Sequence, residues 1–141
     1  MVKIKSVYAR QILDSRGNPT IEAHIASSTH TAVAQVPSGA STGSHEAVEL
    51  RDKRVAYGGK SVYKAVNIIN KLIAPKLQNK SFLDLQSFDK KIIHFDGTPH
   101  KKKLGANTLL ALSMAFSRLL AQEYSLPLHT YLGGEFYNKK Q

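Results

Sequence analysis

The chain has no cysteine, few acidic residues and no long uninterrupted apolar segment. The absence of cysteine excludes both disulfides and thiolate metal sites. A domain of 141 residues can instead bury roughly two-thirds of its unfolded surface around a hydrophobic core. The most apolar stretch, residues 104–121, is interrupted by polar side chains and predicts a core helix, not a membrane span. The first five residues lack the apolar core of a signal peptide, so we expect a soluble cytoplasmic protein.

Acidic residues are outnumbered two to one. Ten Asp and Glu against twenty Lys and Arg give a formal net charge of +10 and a pI near 9.9. This excess calls for an acidic partner, such as nucleic acid, an anionic membrane or a protein surface. A piece of a larger protein can be equally basic, because its balancing acids then lie elsewhere. No nucleic-acid motif is visible and no aromatic residues interleave with the lysines, so solvated faces are favoured over nucleic-acid binding.

The first part of the chain predicts three strands. Residues 3–13 alternate in part between apolar and polar side chains, and residues 20–26 and 31–36 follow with the same period of two. The turn Asp14-Ser15-Arg16-Gly17-Asn18 separates the first two strands, and Gly17 is free to take a positive φ there. Three successive strands with short connections predict an antiparallel meander.

The rest of the chain predicts helices, because the apolar spacing changes to i, i+3 and i+4. Three helices are expected, over residues 61–74, 83–93 and 104–123. Ser61 and Ser81 are predicted to cap the first two, and Pro75 to end the first.

Strands first and helices after indicate an α+β domain, with the helices packed on one face of a small sheet. Pro127 is expected to lead into a short turn through residues 129–132. We assign the domain to residues 1–134 and a polar tail or linker to residues 135–141.

A loop rich in glycine and serine follows the third predicted strand. It reads Val36-Pro37-Ser38-Gly39-Ala40-Ser41-Thr42-Gly43-Ser44-His45-Glu46. Its glycines leave main-chain amides uncovered, and its hydroxyls offer neutral oxygens to amides or to a hard cation. The loop suits an anionic ligand or a metal-bound phosphate, but its Gly/Ser segment holds no carboxylate for strong metal binding and no certain nucleophile. A flexible surface connection is the alternative.

Other candidate sites have simpler interpretations. The six histidines include no pair at helical spacing, so they predict no metal site. Glu46, Glu49 and Asp52 could form an acidic cluster, although one charged helical face is the commoner meaning. Asp14 and Arg16 predict a salt bridge or hydrogen-bond anchor within their turn.

Two long strings, Asp14-Ser15-Arg16-Gly17-Asn18-Pro19-Thr20 and Pro37-Ser38-Gly39-Ala40-Ser41-Thr42-Gly43, stand in this order near the start of the chain. Shorter strings follow at residues 46–52, 96–98 and 103–107. Together they closely resemble the amino-terminal domain of enolase, the glycolytic phosphopyruvate hydratase, from about residue 4 to residue 134. The resemblance implies an α+β fold of the same kind. It also implies a place in a Mg²⁺-dependent lyase that converts 2-phosphoglycerate into phosphoenolpyruvate and water.

The resemblance implies a mobile lid formed by Ser38, Gly39, Ala40, Ser41, Thr42 and Gly43. In this family the serine that matches Ser41 adds its oxygens to the second Mg²⁺ when the lid closes. The other metal ligands and the catalytic residues lie on a carboxy-terminal barrel or on loops attached to it. We therefore expect no catalytic residue in this chain, no activity from the chain alone, and an enolase barrel as its partner in cis or in trans.

The resemblance also implies a homodimer in the full-length context, with Arg10 and Glu22 facing the partner's barrel. The signature turn Asp14, Ser15, Arg16, Gly17 and Asn18 is implied to lie near the active-site side. His24 departs from the family, which commonly has a carboxylate there. The rival hypothesis is a stand-alone basic module that binds a polyanion or a protein and has lost catalysis; the basic excess and the unusual tail support it.

Overall fold

The computed structural model describes residues 1–39 and 43–137. Five strands are present in the described residues: β1 (Val2–Lys3), β2 (Ser6–Leu13), β3 (Pro19–Ala26), β4 (Thr31–Gln35) and β5 (Ser81–Phe82). Strands β2, β3 and β4 pair antiparallel in that order, which confirms the predicted meander. The strand expected over residues 3–13 is divided, and its first part, β1, pairs with β5 in a second small sheet that no sequence pattern indicated.

A 3₁₀ turn at Ala56–Gly59 follows β4, and the other helical elements come after it. They are α1 (Tyr63–Asn67), a π-helical segment (Ile68–Ile73), α2 (Ala74–Leu77), α3 (Leu85–Asp96), α4 (Ala106–Glu123) and α5 (Leu128–Tyr137). Helix α4 packs against β3 and β4, and α3 and α5 pack against α4. The helices cover one face of the three-stranded sheet, so the α+β prediction is confirmed. No helix in the described part of the chain is long and apolar enough to cross a membrane.

The first helical region differs from its prediction at both ends. Pro75 does not end it, because Pro75 lies in the first turn of α2, where its missing N–H needs no partner. Ser61 does not cap it either, since its buried hydroxyl has no hydrogen-bond partner among residues 1–39 and 43–137. The cap comes from a distant residue: the Asp52 carboxylate accepts from the amides of Tyr63 at 3.1 Å and Lys64 at 2.9 Å.

The π-helical segment places one side chain where it protects the sheet. The carboxamide of Asn70 accepts from the Ala9 amide at 2.7 Å and donates to the Ala9 carbonyl at 2.9 Å. Ala9 lies on β2, an edge strand of the three-stranded sheet that the described residues form. Asn70 therefore pairs the backbone N–H and C=O of Ala9, which a further strand would otherwise do at this edge.

Two later helix boundaries also differ from prediction. Helix α3 starts in a capping box, in which Asp84 accepts from the Ser87 amide at 2.7 Å, and Ser81 lies in β5 instead of capping it. The turn expected after Pro127 is wrong, because α5 begins at Leu128 and continues past the expected domain end at residue 134 to Tyr137. Residues 138–141 of the expected tail lie outside the described residues, so the domain boundary stays a prediction.

The core lies between the sheet and α4. Its centre is aromatic: Phe88 stacks on Phe116 with ring centroids 4.1 Å apart, and Phe82 meets Phe88 edge-on at 5.2 Å. Phe88 and Phe116 are fully buried. This packing joins α3 and β5 to α4, while the opposite contacts of α4 are with β3 and β4. The start of α4 in turn supports the glycine-serine loop.

Candidate functional site

The described ends of the glycine-serine loop lie over the start of α4. Ser38, Gly39 and Gly43 line an open groove of about 720 Å³ that also includes Asn107 and Leu110. Ala40, Ser41 and Thr42, the centre of the expected lid, lie outside the described residues. We refer to this space as the lid groove.

Two hydrogen bonds from the first hairpin fix the position at which the loop begins. The Thr20 hydroxyl donates to the carbonyl of Val36 at 2.7 Å in a buried position. Arg16 Nη2 donates to the carbonyl of Ser38 at 3.1 Å. The loop therefore leaves the sheet at a defined place, held by residues of the signature turn and of β3 next to it.

Arg51 joins the loop to three other parts of the chain. Its Nη1 donates to the carbonyls of Pro19 and Lys60, each at 2.6 Å, and its Nη2 reaches Ser38 Oγ at 3.5 Å. The same guanidinium pairs with the Glu49 carboxylate at 3.1 Å. An arginine side chain can bind several acceptors at once, because its planar guanidinium carries five N–H donors. The sequence pattern treated Arg51 only as a charge beside an acidic face, so its role was missed.

The segment of residues 46–52 is not helical, so the prediction of one charged helical face is wrong. Glu49 is paired with Arg51, and Asp52 caps the first helix. No group of three or more His, Asp or Glu side chains in residues 1–39 and 43–137 is arranged to hold a metal. Glu49 and Asp52 therefore serve an ion pair and a helix start, respectively.

The segment after the loop is attached to the start of α4 by its backbone. The Val48 carbonyl accepts from the Ala106 amide at 2.7 Å. The Asn107 carboxamide binds both backbone groups of Leu50, accepting from its amide at 2.9 Å and donating to its carbonyl at 3.0 Å. Gly105 lets the two segments approach, because it has φ +92° and an added Cβ would lie 2.5 Å from the Leu50 Cβ.

The signature turn is held by one carboxylate. Asp14 Oδ1 accepts from the amides of Arg16 and Asn18, both at 2.9 Å, and the bond from Asn18 is the main reason that the pKa of Asp14 is lowered. The Arg16 guanidinium is 4.0 Å from this carboxylate, so the hydrogen-bond anchor outweighs the salt bridge. Gly17 has φ +74°, as its position in the turn predicted.

A second space lies beside the lid groove, between the signature turn and Lys60. It encloses about 330 Å³, and we call it the hinge pocket. Three cationic side chains and one carboxylate line it together with four polar or small residues: Arg16, Asn18, Ser38, Gly39, Glu49, Arg51, Gly59 and Lys60.

The expected dimer residues meet each other across the outer face of the sheet. Arg10 Nε lies 2.6 Å from Glu22 Oε1, opposite it in the β2–β3 register. Hydrogen bonds from Gln35 at 2.8 Å, from His24 at 2.8 Å and from Arg10 lower the pKa of Glu22 to about 2. The His24 ring also stacks on Tyr8 with centroids 4.2 Å apart. The Glu22 carboxylate is thus hydrogen-bonded to residues of its own chain. The dimer assignment stays a prediction.

The described residues do not form a Mg²⁺ site by themselves. The hydroxyl of Ser38 lies beside the Arg51 guanidinium, a neighbour that disfavours a divalent cation. Mg²⁺ takes several oxygen ligands, usually with a carboxylate among them, and the described residues near the loop contain no group of three or more His, Asp or Glu side chains that could hold it.

Comparisons with known proteins agree with the sequence strings. The profile of the family described as "Enolase, N-terminal domain" matches residues 4–132. A curated protein named enolase from Methanothrix thermoacetophila is 47% identical over 133 residues. The match covers 94% of this chain and 32% of that relative, so the chain spans about a third of the relative's length.

Proposed function

This chain belongs to the family of enolase amino-terminal domains, and from that premise we propose that it is the capping and lid domain of an enolase. The proposed reaction of the whole enzyme is the Mg²⁺-dependent removal of water from 2-phosphoglycerate, which gives phosphoenolpyruvate. This chain is then one part of a lyase, and its own role is to present the loop of residues 38–43.

One observation carries the proposal: the loop is held at both ends by the strings that carry the resemblance. Arg16 of the signature turn binds the carbonyl of Ser38, the first residue of the loop, and Asn107 binds Leu50 after the loop. A loop with fixed ends and a glycine-rich centre can move between two positions without disturbing the core. This arrangement suits a lid better than a passive connection.

Within this proposal Ser41 supplies oxygen ligands to a Mg²⁺ that is otherwise held by the barrel. The metal's chemistry is to stabilise the negative charge that develops on the substrate. The chain contributes no catalytic group of its own. The proposed partner is a carboxy-terminal enolase barrel, in cis or in trans, and the proposed location is the cytoplasm.

A homodimer is a further part of the proposal. Arg10 is the better placed of the two expected contact residues, because its side chain is 63% exposed whereas that of Glu22 is 6% exposed. We propose that Arg10 reaches the partner's barrel while Glu22 orients it from below. The rival hypothesis of a stand-alone basic module is not favoured, since the similarity to enolase extends over nearly the whole chain.

The test is complementation with a matching barrel domain. The chain is mixed with a separately produced enolase barrel, Mg²⁺ and 2-phosphoglycerate, and phosphoenolpyruvate is followed by its ultraviolet absorbance. We expect no turnover from either part alone and turnover from the mixture. Ser41→Ala should lower the rate of the mixture, whereas Ser44→Ala, a matched serine outside residues 38–43, should not.

Two results would contradict the proposal. The first is equal activity of the Ser41→Ala and Ser44→Ala mixtures, which would remove the metal-ligand role of Ser41. The second is a failure of the two parts to associate in analytical ultracentrifugation although both are folded. That result would also reject the capping role.

A further inference from the structure

A ring of hydrogen bonds borders the hinge pocket. Arg16 binds the Ser38 carbonyl at 3.1 Å, and Arg51 joins Ser38 Oγ at 3.5 Å to the Lys60 carbonyl at 2.6 Å. Lys60 Nζ then donates to Asn18 Oδ1 at 3.4 Å, and the signature turn closes the ring back to Arg16. The pocket is therefore formed before any ligand arrives.

Several acceptors of the pocket are already hydrogen-bonded within the ring, whereas several of its N–H donors are not. The carbonyls of Ser38 and Lys60 and the amide oxygen of Asn18 each already accept a bond. Lys60 has three N–H groups and one acceptor among the described residues, and Arg16 has five side-chain N–H groups and one such hydrogen bond. The Asn18 amide nitrogen donates to no described residue. A ligand that fits is therefore one that offers hydrogen-bond acceptors to these donors.

The charge of the pocket points the same way. Arg16, Arg51 and Lys60 face a single carboxylate, Glu49, which is already paired with Arg51 at 3.1 Å. Arg16 also lies 4.0 Å from the Asp14 carboxylate of the signature turn, so Lys60 is the cation of the pocket that has no carboxylate partner among the described residues. A tetrahedral oxyanion, with oxygens directed at several donors, matches this set better than a planar carboxylate, because the donors come from the turn, the loop end and Lys60.

We propose that the hinge pocket binds a phosphate group, either as inorganic phosphate or as a phosphate monoester. Arg16 and Lys60 hold its oxygens from opposite sides, and Arg51 supports the pocket from below through its bonds to Ser38 and Lys60. The volume of about 330 Å³ accommodates a phosphate with part of its ester group or with water.

Binding at this place acts on the described end of the lid loop. The same Arg16 guanidinium that contacts the phosphate donates to the Ser38 carbonyl, so an occupied pocket fixes Ser38 more firmly. The site lies wholly within this chain and requires neither a barrel nor a metal. Its test is therefore independent of the proposed enolase function.

The experiment titrates the chain with inorganic phosphate and, separately, with glycerol phosphate at constant ionic strength. Binding is followed by calorimetry and by the amide signals of Asn18, Gly39 and Gly59. Lys60→Gln removes a charged donor from an exposed side chain, so the fold should be kept, and it should weaken binding roughly tenfold or more. Arg16→Gln should do the same, whereas Lys60→Arg should keep most of the affinity.

Lys3→Gln is the matched control, because it removes one positive charge from an exposed position on β1. It should bind phosphate like the unaltered chain. Equal weakening by Lys3→Gln and Lys60→Gln, or no saturable binding of either ligand, would overturn the proposal and leave only general charge screening. Tighter binding of glycerol phosphate would identify a phosphate monoester as the ligand, and tighter binding of inorganic phosphate would identify the free ion.

Discussion

The substitution Gly105→Ala tests how the segment after the lid loop is attached to α4. Gly105 has φ +92°, and an added Cβ would lie 2.5 Å from the Leu50 Cβ and 2.7 Å from Asn107 Oδ1. Two costs therefore add. The backbone conformation at Gly105 lowers the stability of an alanine variant by about 1–2 kcal/mol. The overlap with Leu50 lowers it by about 1–3 kcal/mol more, because the position of a Cβ is fixed by its backbone and no side-chain rotation relieves the overlap.

Gly58→Ala is the matched control. Gly58 has φ +60° and ψ 30°, whereas Gly105 has φ +92° and ψ 138°, and nothing lies within 4 Å of the Cβ added at Gly58. Gly58→Ala therefore reports the cost of a left-handed backbone without an overlap. We expect Gly58→Ala to lower the free energy of unfolding by about 1 kcal/mol and Gly105→Ala by about 2–5 kcal/mol. Urea unfolding followed by circular dichroism measures both, and with an ordinary m value the two midpoints differ by about 1 M or more.

A local measurement accompanies the global one. The Leu50 amide donates to Asn107, so its hydrogen exchange should accelerate more in Gly105→Ala than in Gly58→Ala. If the two variants lose equal stability and the Leu50 amide exchanges at the same rate in both, then the close approach of Gly105 to Leu50 does not hold the segment, and the reasoning fails.

Three further predictions concern the sheet and the helices. The Glu22 pKa of about 2 lies below its ordinary value of 4.5, so the stability that Glu22 contributes is complete above about pH 4.5 and is lost as the pH falls toward 2. Glu22→Gln should remove on the order of 2–3 kcal/mol of this acid-dependent change in urea unfolding; an unchanged pH profile would contradict it. Asp52→Ala should cost about 1–2 kcal/mol, since the amides of Tyr63 and Lys64 lose their acceptor, and Asp52→Asn should cost less; equal losses would argue against capping. Asn70→Ala should cost about 1–3 kcal/mol and expose the Ala9 amide to hydrogen exchange, and continued protection of that amide would show that Asn70 is not its partner.

Local patterns in the sequence were sufficient for much of the fold. The three strands of the meander follow from alternation over a few residues, and α3 and α4 follow from apolar spacing, because each pattern is read within one element. The positive φ of Gly17 was predictable for the same reason, since a turn depends on neighbouring residues. The family was recognisable from strings of seven residues, which need no knowledge of how the chain folds.

Features that join distant parts of the chain could not be predicted in this way. The first helix was given a local cap at Ser61, whereas its acceptor is Asp52, eleven and twelve residues before the amides it binds. Pro75 was predicted to end the helix, but helical structure continues through it, since Pro75 lies in the first turn of α2. The preceding π-helical segment is tied to the edge strand β2 by the bonds of Asn70 to Ala9, which no local pattern indicates. Propensity is a weak rule where tertiary contacts oppose it.

The sequence by itself determined the fold class, the family and the place of the loop along the chain, because these depend on composition, period and short strings. Only the tertiary structure decided what the loop ends touch. Arg51 is one of twenty basic residues in the sequence, and folding alone brings it against Pro19, Ser38 and Lys60. The hinge pocket exists for the same reason: its donors come from residues 16, 18, 51 and 60, and their convergence is set by packing, which no local pattern records.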